Sequence, residues 1–169
     1  PEGVSGSVVF PSIEGSRPVL VEIQALVAES PLGSPRRTVT GVNPNRVSLL
    51  LAILERRAGY AFSDKDVFVN VAGGVRLDEP ATDMAVAVAL VSSLLDVPVP
   101  TDFALFGEVG LAGEVRAVTH ARQRMAEASK FGFKKCILPA GCAKELGTVA
   151  ASAVQVDTLT RAIRTALEG

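Results

Sequence analysis

Apolar and polar positions alternate in part over the first thirty residues, where β-branched side chains are frequent. "GSVVFPSIEG" and "PVLVEIQALVAES" therefore predict two strands joined through a glycine-containing turn, a hairpin. The period then lengthens. In "NPNRVSLLLAILERRAG" the residues Val47, Leu50, Leu51 and Leu54 recur at helical spacing. Asn43 suits the N-cap, Pro44 the first helical position and Gly59 the exit, leaving Arg46, Arg56 and Arg57 mostly toward solvent. "DVFVNVAGGV" predicts a strand that runs into a glycine turn. Positions 80–95 are apolar on nearly every side, as expected of a central, buried helix. "FALFGEVGLAGEV" predicts a strand and a second hairpin, followed by a helix over "THARQRMAEASKFG" and a strand at "KKCILP". A short helix near "AKELG", a strand at "AVQV" and a last helix from Thr158, capped by Asp157, complete the pattern. Hairpins together with crossover helices predict an α/β fold: one domain with a mixed sheet and packed helices.

Composition narrows this further. A chain of 169 residues buries about 70% of its unfolded surface around one core. Hydrophobic residues make up 48% but aromatics only 5%, with no Trp, so Val, Ala and Leu fill tight helix–sheet contacts. No apolar run reaches the ~18 residues of a membrane span, and no signal peptide is visible. The chain opens on "PEGVSGS" without a Met, and the expectation is a segment of a longer protein. Net charge is −1, yet "SPRRTVTGVNPNR" and "ILERRAG" concentrate Arg36, Arg37, Arg46, Arg56 and Arg57. A second basic set lies in "RAVTHARQR" and "KFGFKK". Such clusters suit a polyanion-binding face, and equally an ordinary solvated surface. Cys136 and Cys142 have no His or Cys companions at ligand spacing. Two reduced, structural thiols are favoured over a disulfide, and no zinc site is expected among these residues.

The glycines at 107, 110 and 113 form G-x-x-G-x-x-G rather than the dinucleotide fingerprint, and no G-x-x-x-x-G-K-[ST] occurs. They read as turn residues. His120 is the single histidine. A Ser–His–Asp triad would need Ser92, Ser93 or Ser129 beside it, and none falls on a sharp turn within its reach, so His120 reads as a helix-surface residue. That leaves "RLDEPATD", which follows Gly73 and Gly74 and leads into "MAVAVALVSSLL". A glycine turn, a strained loop and a small-residue helix can present a nucleophile, but the apex holds Ala81.

Here the sequence resembles the proteolytic domain of the Lon protease family, from about Ser7 to Ala166. Where that family has G-P-S-A-G with a serine nucleophile, this chain has Glu79-Pro80-Ala81-Thr82-Asp83. "FALFGEVGLAGEVRAV" is similar to the family's T-G-E-[IV]-[TS]-L-x-G-x-V, and "FGFKKCILP" to its next strand. Counting from Gly113, the family's catalytic lysine falls on Arg122. The resemblance implies a Lon-like mixed α/β fold from which the Ser–Lys dyad has been lost. Ala81 has no hydroxyl, and a guanidinium keeps its proton throughout the physiological range. Asp78, Glu79 or Asp83 is then expected to pair with Arg122, turning a catalytic cleft into a structural ion pair. Glu79 and Asp83 would also complement the dipole of the buried helix.

"LDEPATDMAVAVAL" and "RRTVTGVNPNRVSLLLAILERRAG" further resemble the Lon-like domain of the bacterial RadA (Sms) family. That resemblance implies residues 1–6 as the remnant of a linker from an ATPase domain, and residues 7–169 as a catalytically degenerate Lon-like domain. It also implies a longer cytoplasmic protein with a zinc finger and Walker motifs, hence Zn, Mg and ATP outside these residues. Its activity would be that of a DNA-dependent ATPase and helicase driving branch migration beside RecA in homologous recombination and DNA repair, as a hexameric ring. Within such a ring this domain would serve assembly and sequence-nonspecific binding of single- and double-stranded DNA. Arg36 and Arg37, on a Pro- and Gly-flanked loop, with Arg46, would be the first phosphate contacts, then Arg56 and Arg57. Few exposed aromatics are expected, so stacking on bases should not dominate. An oligomerisation scaffold without DNA contact is the alternative, and a residual peptidase a third.

Overall fold

The computed structural model describes residues 3–31, 33–147 and 152–168. Pro1 and Glu2, the first two residues of the expected linker, lie outside the described residues, as do Leu32, residues 148–151 and Gly169 of the expected domain. The expected hairpin forms from β1 (Ser7–Glu14) and β2 (Arg17–Glu29), antiparallel from Ser7↔Gln24 to Glu14↔Arg17. Its entry depends on Gly6, which sits at φ +86°. A Cβ there would lie 2.1 Å from the Ala25 carbonyl oxygen, and the Gly6 carbonyl accepts the Ala25 N–H at 2.8 Å.

On the far side of β2 lies β4 (Lys65–Val71), antiparallel to it. β3 (Arg37–Thr40) forms the edge, parallel to β4. On the other side of β1 come β5 (Phe103–Leu105), β8 (Lys135–Pro139) and β9 (Ala153–Val156), each parallel to its neighbour. The order is β3-β4-β2-β1-β5-β8-β9, a seven-stranded mixed sheet. The second expected hairpin is also present, as β6 (Glu108–Val109) against β7 (Val115–Arg116).

Helix α1 (Pro44–Ile53) starts as its sequence predicts: the Asn43 side chain accepts the Asn45 N–H, and Pro44 opens the first turn. A π turn over Leu54–Ala58 prolongs it until Gly59, in the left-handed region, closes it. Helix α2 (Asp83–Leu95) is buried from Asp83 through Ser92 and packs on β1 and β2 between α1 and α4 (Leu159–Glu168). Ala85, Ala87 and Ala89 allow that close approach, and enlarging any of them would cost about 1–3 kcal/mol in overpacking. Helix α3 (Ala121–Lys130) packs on β1, β2 and β8. The short helix expected near "AKELG" forms slightly earlier, as a 3₁₀ segment over Ala140–Glu145. Among the described residues no helix is long and apolar enough to cross a membrane.

Candidate functional site

The loop before α2 is tied down at both ends. Leu77 donates its N–H to the Gly41 carbonyl at 2.7 Å, and Pro80–Thr82 makes a single 3₁₀ turn that hands over to α2. Gly107, just past β5, donates to the Ala81 carbonyl at 2.8 Å and accepts from the Met84 N–H at 2.9 Å. These paired bonds hold Ala81 against the end of the parallel strands, 2% exposed. The hydroxyl of Thr82 is not free: it donates to the Glu79 carbonyl at 2.7 Å.

Two ion pairs close around this turn. Asp83 is 2% exposed and meets Arg46 of α1 through both carboxylate oxygens, with Nε at 2.9 Å from Oδ1 and Nη2 on Oδ2. The same Nη2 donates to the Val109 carbonyl at 2.8 Å, while the Val109 N–H donates to Asp83 Oδ2 at 3.0 Å. The Asp83 hydrogen bond raises the pKa of Arg46, against the opposing effect of burial. Glu79 accepts from Ser12 Oγ at 3.0 Å, from the Ile13 N–H at 2.9 Å and from Arg124 Nη2 at 2.5 Å. Arg124 itself is buried and also donates to the Thr119 and Pro11 carbonyls, both at 2.9 Å. Its guanidinium lies 5.8 and 5.7 Å from the ring centroids of Phe10 and Phe106.

Beside the Arg124–Glu79 pair a cleft of about 300 Å³ is lined by Glu79, Ala81, Glu108, Val118, Thr119 and Arg124, among others. The basic group in its wall is the Arg124 guanidinium, which cannot take a proton. A second cleft of about 240 Å³ lies between α1 and the loop, with Arg46, Leu50, Leu77 and Asp83 in its walls.

Arg122, the residue expected to pair with an acid, is exposed on α3 and makes no salt bridge among the described residues. Its place in the ion pair is taken by Arg124. Two residues along a helix turn about 200°, so only one of the two arginines can face the cleft. The signal was in the sequence: Ala121, Arg124, Met125 and Ala128 are the buried stripe of α3, and Arg124 is the charged member of it. Asp78 pairs instead with Arg76, at 3.3 Å on the surface.

The arginines expected to meet phosphate divide. Arg46 is half-buried rather than solvent-facing, because α1 brings it over Asp83. Arg36 donates its N–H to Asp66 at 2.8 Å and its guanidinium at 3.2 Å, although that side chain is 70% exposed. Arg37 is not on a loop. It begins β3 and donates to the Lys65 carbonyl at 2.5 Å and the Phe62 carbonyl at 2.9 Å. Arg57 bonds the Leu111 carbonyl at 3.2 Å, and Arg56 is exposed. One aromatic ring, Phe131, is also largely exposed. His120 is exposed at the start of α3 with φ 62°. Cys136 and Cys142 are buried free thiols, and burial pushes Cys136 up to about 12. Among the described residues no three His, Cys, Asp or Glu side chains gather as a metal site would need.

The site is thus a cleft walled by an arginine, over which the buried helix of a mixed α/β domain starts from a Pro-Ala turn. Residues 52–165 match the model for the Lon protease (S16) C-terminal proteolytic domain, and the chain belongs to that family. It is similar to the DNA repair protein RadA of Aquifex aeolicus (strain VF5), 55% identical over 134 residues, covering 79% of this chain and 30% of that protein. The RadA proteins of Bacillus subtilis (strain 168) and Escherichia coli (strain K12) are 46% and 52% identical over 171 and 139 residues. These alignments cover 99% and 82% of this chain, but 37% and 30% of the relatives. The chain thus spans about a third of the length of these relatives.

Proposed function

We propose that this domain is a non-proteolytic Lon-type module of a RadA-type DNA repair protein, and that it serves ring assembly and sequence-nonspecific DNA binding. The observation that carries the first half is Arg124. Where a Ser–Lys site needs a neutral amine beside a hydroxyl, the cleft that Ala81 lines holds a guanidinium committed to Glu79 and two carbonyls. The second half draws on the relatives named DNA repair protein RadA. By the same likeness the longer protein would be a DNA-dependent ATPase and helicase with zinc, magnesium and ATP bound elsewhere. It would act on recombination intermediates with RecA in the bacterial cytoplasm, as a hexamer.

Arg36, Arg56 and Arg57 keep exposed guanidinium groups for phosphate. The internal commitment of Arg46 and the backbone bonds of Arg37 favour, by contrast, the second reading, a scaffold without DNA contact. Fluorescence anisotropy of labelled single- and double-stranded DNA across a salt series separates the two. Charge-driven binding loses about 0.9 in log K per log [salt] for each duplex phosphate neutralised. An Arg36→Ala/Arg56→Ala/Arg57→Ala variant should lower that slope by about 3. Assembly by the wild type with no DNA binding would establish the scaffold instead.

A further inference from the structure

Phe131 stands 61% exposed, and it does not sit on a loose segment. Its N–H bonds back to the carbonyls of Glu127 and Ala128 at 3.3 and 3.2 Å. Gly132 then reverses the chain at φ +86° and donates to Ser129, and the Phe133 N–H returns to Ala128 at 3.0 Å. The N–H groups of Lys134 and Lys135 both bond the Asp102 carbonyl, at 2.9 and 3.3 Å, which ties the turn to the segment leading into β5.

Three lysines accompany the ring. Lys130 Nζ lies 5.7 Å from the centroid of Phe131, Lys135 Nζ lies 5.8 Å from that of Phe103, and Lys134 is exposed between them in sequence. Glu127 is on the same helix and Asp102 on the facing turn. Even so, none of the three ammonium groups reaches a carboxylate at salt-bridge distance among the described residues. Arg46 and Arg124, by contrast, are committed inside the fold.

We propose that this α3–β8 turn is a contact site for single-stranded nucleic acid, in which a base stacks on Phe131 and Lys130, Lys134 and Lys135 take the flanking phosphates. The proposal rests on the reading that the domain contacts DNA, and gives that reading a second surface away from Arg36, Arg56 and Arg57. Every unpaired base offers a π face, and a ring on a fixed backbone loses little freedom on stacking. A duplex keeps its bases stacked on one another, so only the lysine–phosphate attraction would remain for it. A second copy of this chain is a poorer occupant. A two-fold contact through this turn would bring two sets of unneutralised lysines face to face.

The test uses the 169-residue chain with labelled oligo-dT and a labelled duplex of equal length, across a salt series. Phe131→Ala should weaken oligo-dT binding about 5- to 150-fold, the equivalent of about 1–3 kcal/mol for one stacked base. The slope of log K against log [salt] should stay unchanged, and duplex binding should scarcely move. Phe131→Trp should restore affinity. Lys130→Gln/Lys134→Gln/Lys135→Gln should instead lower the single-strand slope by about 2. An exposed side chain is being changed, so thermal melting should match the wild type. If the wild type binds both DNAs and Phe131→Ala binds oligo-dT equally well, this site is wrong and the DNA reading stands. If the wild type binds neither at low salt, both fall. A Phe131→Ala variant that changes sedimenting mass and leaves DNA binding alone would assign the turn to self-association and overturn the proposal.

Discussion

Arg124→Met removes a guanidinium that the fold has buried, paired and placed near two aromatic rings. Breaking one side of a buried ion pair costs about 3–5 kcal/mol. Two features of this site act on that figure. The Pro11 and Thr119 carbonyls each lose a donor, which adds to the cost where water cannot replace it. Glu79 keeps Ser12 and Ile13 as donors and its side chain is 22% exposed, so water can reach the orphaned carboxylate and lower the cost. Met also refills much of the volume and packs well beside Phe10 and Phe106. The expected loss is therefore about 3–5 kcal/mol, or about 6–20 °C in Tm for a domain of this size. Arg122→Met, two residues away and exposed, should stay within about 0.5 kcal/mol of the wild type. Urea unfolding followed by circular dichroism reads both, with unchanged m-values confirming that stability alone has moved. Combining Arg124→Met with Glu79→Gln should cost less than the two single changes together, by about 0.5–3 kcal/mol. If Arg122→Met proved the more damaging, or Arg124→Met were neutral, the ion-pair account of the cleft would be refuted.

Ala81→Ser should release no fluorescent peptide from labelled casein, because the restored hydroxyl would share its cleft with Arg124, a guanidinium that cannot take its proton; turnover above the wild-type background would refute this. The Asp66 carboxyl is held below its ordinary range by the Arg36 N–H first and then by its guanidinium, against desolvation. Its folded value lies below its unfolded one, so its contribution is present near neutral pH and is lost as pH falls from about 5 downward. Asp66→Asn should accordingly flatten the acid limb of the urea midpoint against pH, and an unchanged limb would count against it. Cys136, with its thiol pushed up to about 12 by burial, should resist a thiol reagent in the folded domain and react only on unfolding. Prompt labelling of Cys136 under native conditions would contradict that burial.

Much of this architecture follows from local pattern. The alternation of residues 7–29, the caps of α1 and the unbroken apolar run of α2 each contain their own instruction. A hairpin, a helix start and a buried helix are decided by neighbours a few residues apart. The short edge strand β3 escaped that reading. "RTVT" is brief, follows a Pro- and Gly-rich stretch, and becomes a strand only because β4 lies alongside.

The amino-acid sequence by itself determined the order of elements, the lack of a hydroxyl at Ala81 and the clustering of arginines. Which arginines are available to a ligand was decided by the tertiary structure, although helical spacing already set Arg124 in line with Ala121, Met125 and Ala128. Arg46 meets Asp83 across 37 positions of sequence and Arg124 meets Glu79 across 45. Those meetings depend on how α1 and α3 are laid against the turn before α2. Charge clustering counts cations, whereas burial beside a carboxylate commits them, and burial is a property of the assembled core.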